Sequence, residues 1–112
     1  MSAQSIALLT LSLTASATLA ANRFTTHAGA VPAAGANVAG VARSSAASGD
    51  LVSVDVLGTA VVEASAAIAL GAAIESTNTG KAVTKSTGAT VARALQAASA
   101  DGDLIEVLLI AN

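Results

Sequence analysis

Apolar and polar residues alternate in short runs along this chain, and a glycine stands at most of the breaks between runs. Residues 7–14 read ALLTLSLT, in which Leu9, Leu11 and Leu13 alternate with hydroxyl side chains. Residues 51–56 read LVSVDV, with a valine at every second position. Because a period of two places successive side chains on opposite faces of a strand, each run predicts a half-buried β-strand.

Further short strands are predicted wherever apolar residues stand between turn signals. They span residues 23–27, 38–43, 81–85 and 104–110, and the last of these has the strongest strand composition. Gly58 separates LVSVDV from TAVVEA and predicts a hairpin or a sharp corner there. The turn ADGD places Gly102 where a positive φ is tolerated.

Two segments are compatible with either helix or strand. The alanines between residues 64 and 70 favour two helical turns, but the unit AIALGAAI sets a glycine between two isoleucines, which favours short extended segments. In residues 90–99, Val91, Leu95 and Ala98 have near-helical spacing, while residues 91–95 also fit a strand. The sequence leaves that second choice open.

These patterns predict a mainly β fold with at most one short helix. We expect a small β-barrel or β-tulip-like domain of short strands over residues 23–112, preceded by an extended N-terminal arm over residues 1–22. Hydrophobic residues make up 54% of the chain, but many are alanine, and Phe24 is the only aromatic side chain. Such a thin core favours burial against further copies or another protein.

The chain lacks most of the side chains that catalysis uses. It has no cysteine, tryptophan or tyrosine, and His27 is its only histidine. It therefore has no disulfide framework, no thiolate metal site and no thiol nucleophile, and His27 lacks neighbouring ligands for a metal. We expect a protein that is not an enzyme and that holds neither a cofactor nor a metal.

The charged residues do not compose a recognised site either. Asp101, Asp103 and Glu106 lack the alternating oxygen ligands of a calcium loop, since the sequence turns apolar after Asp103. Lys81 lacks the signature of a biotin or lipoyl carrier, and no glycine-rich phosphate loop is present. The net charge is −2 with five scattered basic residues, which argues against binding to nucleic acid.

The apolar N-terminal segment, Ile6 to Ala21, has some features of a secretory signal peptide. No Lys or Arg precedes it, and serine and threonine interrupt it throughout, unlike a signal peptide or a membrane span. We therefore expect an arm of the folded protein and no membrane association. The alternative is a secreted or cell-surface β-rich adhesion module that loses this segment.

The order of elements over about residues 38–110 resembles the small capsid cement, or head decoration, proteins of tailed bacteriophages, including the lambda-type decoration protein. The matching features, taken in order along the chain, are Gly40-Val41-Ala42, Gly49-Asp50, the VDVLGTA run ending at Ala60, the glycine-centred unit ending at Ile74, Gly80-Lys81-Ala82, Arg93-Ala94-Leu95 and Gly102-Asp103. The resemblance implies a structural virion protein with a β-tulip-like fold. It implies a homotrimer on the outside of the expanded head, at local three-fold positions, that binds the major capsid protein and stabilises the shell against internal DNA pressure.

The arm is our candidate contact region for the capsid or a neighbouring subunit. It carries Ile6, Leu8, Leu9, Leu11 and Leu13, large apolar side chains at a chain terminus that stays disordered unless something holds it. We expect these residues to pack on a partner, either as an added strand or through the face of Leu9, Leu11 and Leu13. The alternative is that this strand pairs inside its own domain.

Overall fold

The structure is a computed structural model that describes residues 4–112. Within that range it contains eight β-strands and no α-helix, so no helix there has the length and hydropathy to cross a membrane. The strands are β1 (Ala7–Thr14), β2 (Phe24–Thr25), β3 (Gly40–Ala42), β4 (Leu51–Glu63), β5 (Ala73–Ser76), β6 (Ala82–Thr84), β7 (Ala92–Ala94) and β8 (Leu104–Leu109). The predicted mainly β fold is confirmed, and the undecided segment 90–99 contains a strand, β7.

Strand β4 belongs to two groups of strands. Its first half pairs with β1 on one side and with β3 on the other, and β2 extends the sheet beyond β3. Its second half pairs with β8. The chain therefore does not reverse at Gly58, so of the predicted hairpin or sharp corner the hairpin is wrong. Instead Gly58 adopts φ 98° inside a continuous strand, beside a register shift against β1, and any β-carbon would meet the Ile6 carbonyl oxygen.

The second half of β4 forms a nearly closed barrel with the later strands. The hydrogen-bonded order is β4, β8, β7, β5 and β6. A parallel bridge between Ala64 and Ala82 then joins β6 to the residue that follows β4. The Ser65 amide donates to the Ala82 carbonyl at 2.9 Å across this seam. Closing the sheet removes most of the unpaired edge that would otherwise invite aggregation.

Two apolar clusters fill the fold. The larger lies inside the barrel, where Phe24, Ile74, Val62 and Val107 are buried among small side chains. The smaller lies beside the first half of β4 and contains Val52, Val54 and Leu19 with nearby alanines. Because alanine and valine dominate both clusters, each buried residue removes little apolar area from water, and the expected thin core is present.

A network of charged side chains lies where the barrel seam closes. Glu63, at the end of β4, accepts from Arg23 at 3.2 Å and from Lys81 at 3.2 Å, and Lys81 also reaches Asp101 at 2.9 Å. Burial raises the pKa of Glu63, but hydrogen bonds from Lys81 and Arg23 outweigh it and hold the pKa below its usual value. Hydrogen bonds to Asp101 and Glu63 raise the pKa of Lys81. The network links β4 to the turns that precede β2, β6 and β8.

Two further carboxylates hold turns. Glu75 accepts hydrogen bonds from the backbone amides of Ser86 and Gly88 at 2.5 and 3.2 Å, and these bonds lower its pKa. Asp103 accepts from the amide and hydroxyl of Ser99, which lower its pKa in the same way. In both cases an ionised carboxylate satisfies turn donors that the barrel strands leave unpaired.

Acid should therefore destabilise the fold. A carboxyl with a lowered folded pKa contributes stability that is present above its unfolded pKa and is lost as the pH falls through its folded pKa. Since the usual values for Glu and Asp here are 4.5 and 3.8, we expect the thermal unfolding midpoint to be flat down to about pH 5 and to fall below about pH 4. Glu75→Gln should show a shallower acid loss than the parent, and an identical loss would contradict the role of Glu75.

Two glycines that both have a positive φ give a matched test of local packing. A β-carbon on Gly29 (φ 76°) would collide with the Thr14 carbonyl oxygen, whereas one on Gly49 (φ 91°) would have nothing within 4 Å. Gly49→Ala should cost about 1–2 kcal/mol from the left-handed conformation alone. Gly29→Ala should cost roughly 1–3 kcal/mol more, because the end of β1 must move. Urea unfolding of both variants measures the difference, and equal costs would contradict the close approach.

Candidate interaction surfaces

The N-terminal arm is part of the sheet. Strand β1 runs antiparallel to the first half of β4, with Leu13 opposite Val52, Leu11 opposite Val54 and Thr10 opposite Asp55. Leu9 lies opposite Leu57 after a register shift. The strand thus pairs within its own chain, while most of its side chains stay accessible to solvent.

The five arm residues singled out in the sequence divide into two groups, three along one face of this sheet and two near its end at Gly58. Leu9, Leu11 and Leu13 follow the face of Val52 and Val54, which is the face that the smaller apolar cluster covers. Leu13 packs against that cluster, but Leu11 remains 42% exposed and Leu9 is also exposed. The chain itself therefore covers this face at Leu13 and leaves it exposed at Leu9 and Leu11.

A shallow groove lies beside the uncovered end. Leu11 lines it together with Val38, Val56, His27 and the C-terminal residue Asn112. The Asn112 side chain accepts a hydrogen bond from the Val38 amide at 2.8 Å, which holds the chain end at the groove. We call the exposed residues Leu9, Leu11 and Leu57, with this groove, the groove patch. It is concave and mainly apolar, as small recognition surfaces usually are.

Ile6 and Leu8 belong to the other side of the molecule. The Ile6 amide donates to the outward hydroxyl of Thr59 at 2.9 Å, and Leu8, which is 74% exposed, approaches Gly58. Thr59 in turn lies opposite Leu108 of β8. Ile6 and Leu8 therefore adjoin the outer wall of the barrel.

That wall carries exposed leucines that the sequence reasoning missed. Ile105, Val107 and Leu109 point into the barrel, so Leu104 and Leu108 must point outward, and both are exposed. We call the exposed residues of this side the wall patch: Ile6, Leu8, Leu95, Leu104 and Leu108. The sequence contained a signal for them, because LIEVLLI has apolar residues at positions for both faces of the strand. A strand with one solvent-exposed face usually has polar residues at the positions for that face.

A buried carboxylate fastens the arm to the sheet. Asp55 is 2% exposed although it points away from the core cluster, because the chain near Ser5 lies over it. Its two oxygens accept from Thr10 at 2.8 Å and from Ser5 at 3.0 Å, and the Arg43 guanidinium lies 3.6 Å away. The arm, the residue that follows β3 and strand β4 thus meet at the Asp55 carboxylate, which fixes the register of β1 against β4.

The remaining polar residues do not converge on a reactive site. Among residues 4–112 no group of three or more His, Asp and Glu side chains is placed to hold a metal ion. Asp101 pairs with Lys81, Asp103 binds the Ser99 turn, and Glu106 is buried on the outward side of β8. Within this range the prominent surface features are therefore the two apolar patches.

Comparison with known proteins identifies relatives of the whole fold. A family model described as phage cement protein matches residues 3–109. The N base of the head fiber gp8.5 of bacteriophage phi29, solved by crystallography, is similar with a TM-score of 0.75 and 20% sequence identity over 91% of this chain and 93% of that chain. At this identity the likeness shows a shared fold. No curated protein matches the chain.

The Asp55 contact predicts a local effect on the arm. Asp55→Ala removes the acceptor for Ser5 and Thr10 and should cost about 2–3 kcal/mol, as expected for hydrogen bonds to a charged group. Hydrogen exchange should rise in residues 7–14 while the β8 amides stay protected. Asp55→Asn keeps one acceptor oxygen and the volume, so its effect should be smaller. Unchanged protection of β1 in Asp55→Ala would contradict the fastening role.

Proposed function

The chain belongs to the phage cement protein family, and we propose that it binds the expanded head as a homotrimer at local three-fold positions and stabilises the shell against internal DNA pressure. The resemblance noted in the sequence is confirmed by the family match, which places the protein on the exterior of the virion head as a structural component. The single observation that carries the proposal is this match over residues 3–109. It includes the arm, which supports a structural arm over a cleaved signal peptide.

We infer that the groove patch contacts the major capsid protein. A cement protein needs a surface that its own fold leaves uncovered, and the groove patch combines exposed leucines with a concave cleft. Because β1 is hydrogen-bonded to β4, the leucines are held in place before binding, which reduces the ordering cost of association. Leu13 supports this surface from beneath, through its contact with the smaller cluster.

The binding free energy from the groove patch of one copy is modest, but an assembly repeats the contact many times. Fully burying a leucine contributes about 1.5–3 kcal/mol, and Leu9, Leu11 and Leu57 begin about half exposed, so each contributes roughly half of that. A trimer repeats the contact three times within one assembly, and linked contacts multiply the effective affinity. A three-fold position is most simply filled by a protein with the same symmetry.

Stabilisation requires a preference between shell states. A bound protein shifts an equilibrium only by the difference in its affinity for the two states, so cementing requires tighter binding to the expanded shell than to the unexpanded one. Binding measured on both shell forms therefore tests the stabilising role independently of attachment. Equal affinity for the two forms would refute it.

The groove patch gives a test by substitution. Leu9→Thr with Leu11→Thr keeps β propensity and removes apolar surface, so the variant should fold normally and bind heads at least about tenfold more weakly. At a protein concentration that just saturates heads with the parent, heads mixed with the variant should release DNA at a lower temperature than heads mixed with the parent. Leu51→Thr, at the exposed leucine that begins β4, is the control for loss of apolar surface and should behave like the parent. Full decoration by the Leu9/Leu11 variant would contradict this assignment.

A further inference from the structure

The wall patch is not explained by contact with the capsid through the groove patch. Leu11 follows the buried face of β4 that Val52 and Val54 share, whereas Leu104 and Leu108 point outward from the barrel that β8 forms with the second half of β4. One continuous partner surface laid against the groove patch leaves the wall patch in water. A second contact is needed to cover it.

The wall patch is large for an exposed surface of a small monomer. Leu104 is 52% exposed, and with Ile6, Leu8, Leu95 and Leu108 it presents on the order of 400 Å² of apolar surface, in the range of the largest patches on monomers, which are often functional. Each partner in a standard interface buries about 800 Å², of which somewhat more than half is apolar. The apolar area of the wall patch is therefore close to the apolar area that one partner buries in such an interface.

The charges around the wall patch suit contact with an identical surface. Around a three-fold axis the same region of each copy faces the axis, so identical unpaired charges there repel and oppose the contact. Glu63 points outward beside Leu104, but Arg23 and Lys81 already pair with it at 3.2 Å each. Glu106 points outward between Leu104 and Leu108 and is only 6% exposed. Arg93, beside Leu108, donates to the Gly71 carbonyl of its own chain at 3.2 Å.

We propose that the wall patch is the contact between copies of this chain, while the groove patch faces the capsid. This inference rests on the proposed function for the role of the assembly, but it assigns a separate surface to a separate partner. The barrel walls centred on β8 of the three copies meet around the three-fold axis, so that Leu104 and Leu108 are buried between barrels. The arm contributes Ile6 and Leu8 to the same contact, and it is thereby shared between the two interfaces.

Paired substitutions test the assignment in solution. We expect the parent to form a multimer in native mass spectrometry or sedimentation. Leu104→Thr with Leu108→Thr should weaken this self-association at least about tenfold, while circular dichroism and the unfolding midpoint show a folded protein. Leu9→Thr with Leu11→Thr should keep the parent mass, and Leu51→Thr controls for general loss of apolar surface. A folded Leu104/Leu108 variant with the parent's mass distribution would overturn the proposal.

Cross-linking tests the same contact on heads, where assembly is complete. The chain has no cysteine, so a single Leu108→Cys is a clean probe. A short bismaleimide should join copies of Leu108→Cys on decorated heads, whereas Leu11→Cys should give no copy-to-copy product. If the parent is monomeric in solution and Leu108→Cys does not cross-link on heads, the wall contact is wrong. If the parent does not bind heads at all, the proposed function fails and the solution masses alone decide the wall contact.

Discussion

The fold depends on one strand that is long enough to serve two sheets. Strand β4 has 13 residues, more than twice the usual strand length, and it pairs with β1 and β3 before Gly58 and with β8 after it. The positive φ of Gly58 allows the strand to bend without ending. The barrel, the arm and the relative direction of their outer faces all follow from this bend, because each is hydrogen-bonded to a different half of the same strand.

The chain closes its barrel with little apolar material. Alanine and valine fill most interior positions. Hydrogen bonds and ion pairs therefore do much to determine which strands pair and in which register. Glu63 ties the barrel seam through Arg23 and Lys81, and Asp55 ties the arm through Ser5 and Thr10. Each carboxylate accepts hydrogen bonds from residues that are far from it in sequence. A misregistered sheet would leave these charges unpaired, which is a cost that selects the observed pairing.

Apolar side chains that the core does not use are left on two surfaces. Leu9 and Leu11 face the groove, and Leu104 and Leu108 face outward from the barrel. In a protein that acts alone this distribution is a liability, whereas a member of the phage cement protein family functions within an assembly. In the assembly that we propose, contacts with other chains complete the burial that the single chain leaves unfinished, which accounts for both the thin core and the apolar exterior.

The sequence by itself determined the local structure and the class of protein. Alternation over residues 7–14, 51–56 and 104–110 predicted β1, the start of β4 and β8, because the period of two depends only on neighbouring residues. The order of glycine-bounded strands was sufficient for the family resemblance. The absence of cysteine and the scarcity of aromatic residues are facts of composition that no fold alters.

Only the tertiary structure decided where the strands pair and which leucines stay exposed. Gly58 has the same local sequence in a hairpin and in a bent strand, and it is the pairing with β1 and β8, dozens of residues away, that keeps β4 continuous. Alternation likewise places Leu11 and Leu108 on a face without saying what covers that face. Coverage depends on contacts between distant segments, such as Leu19 and Ala15 over Val52, which hydrophobic periodicity does not encode.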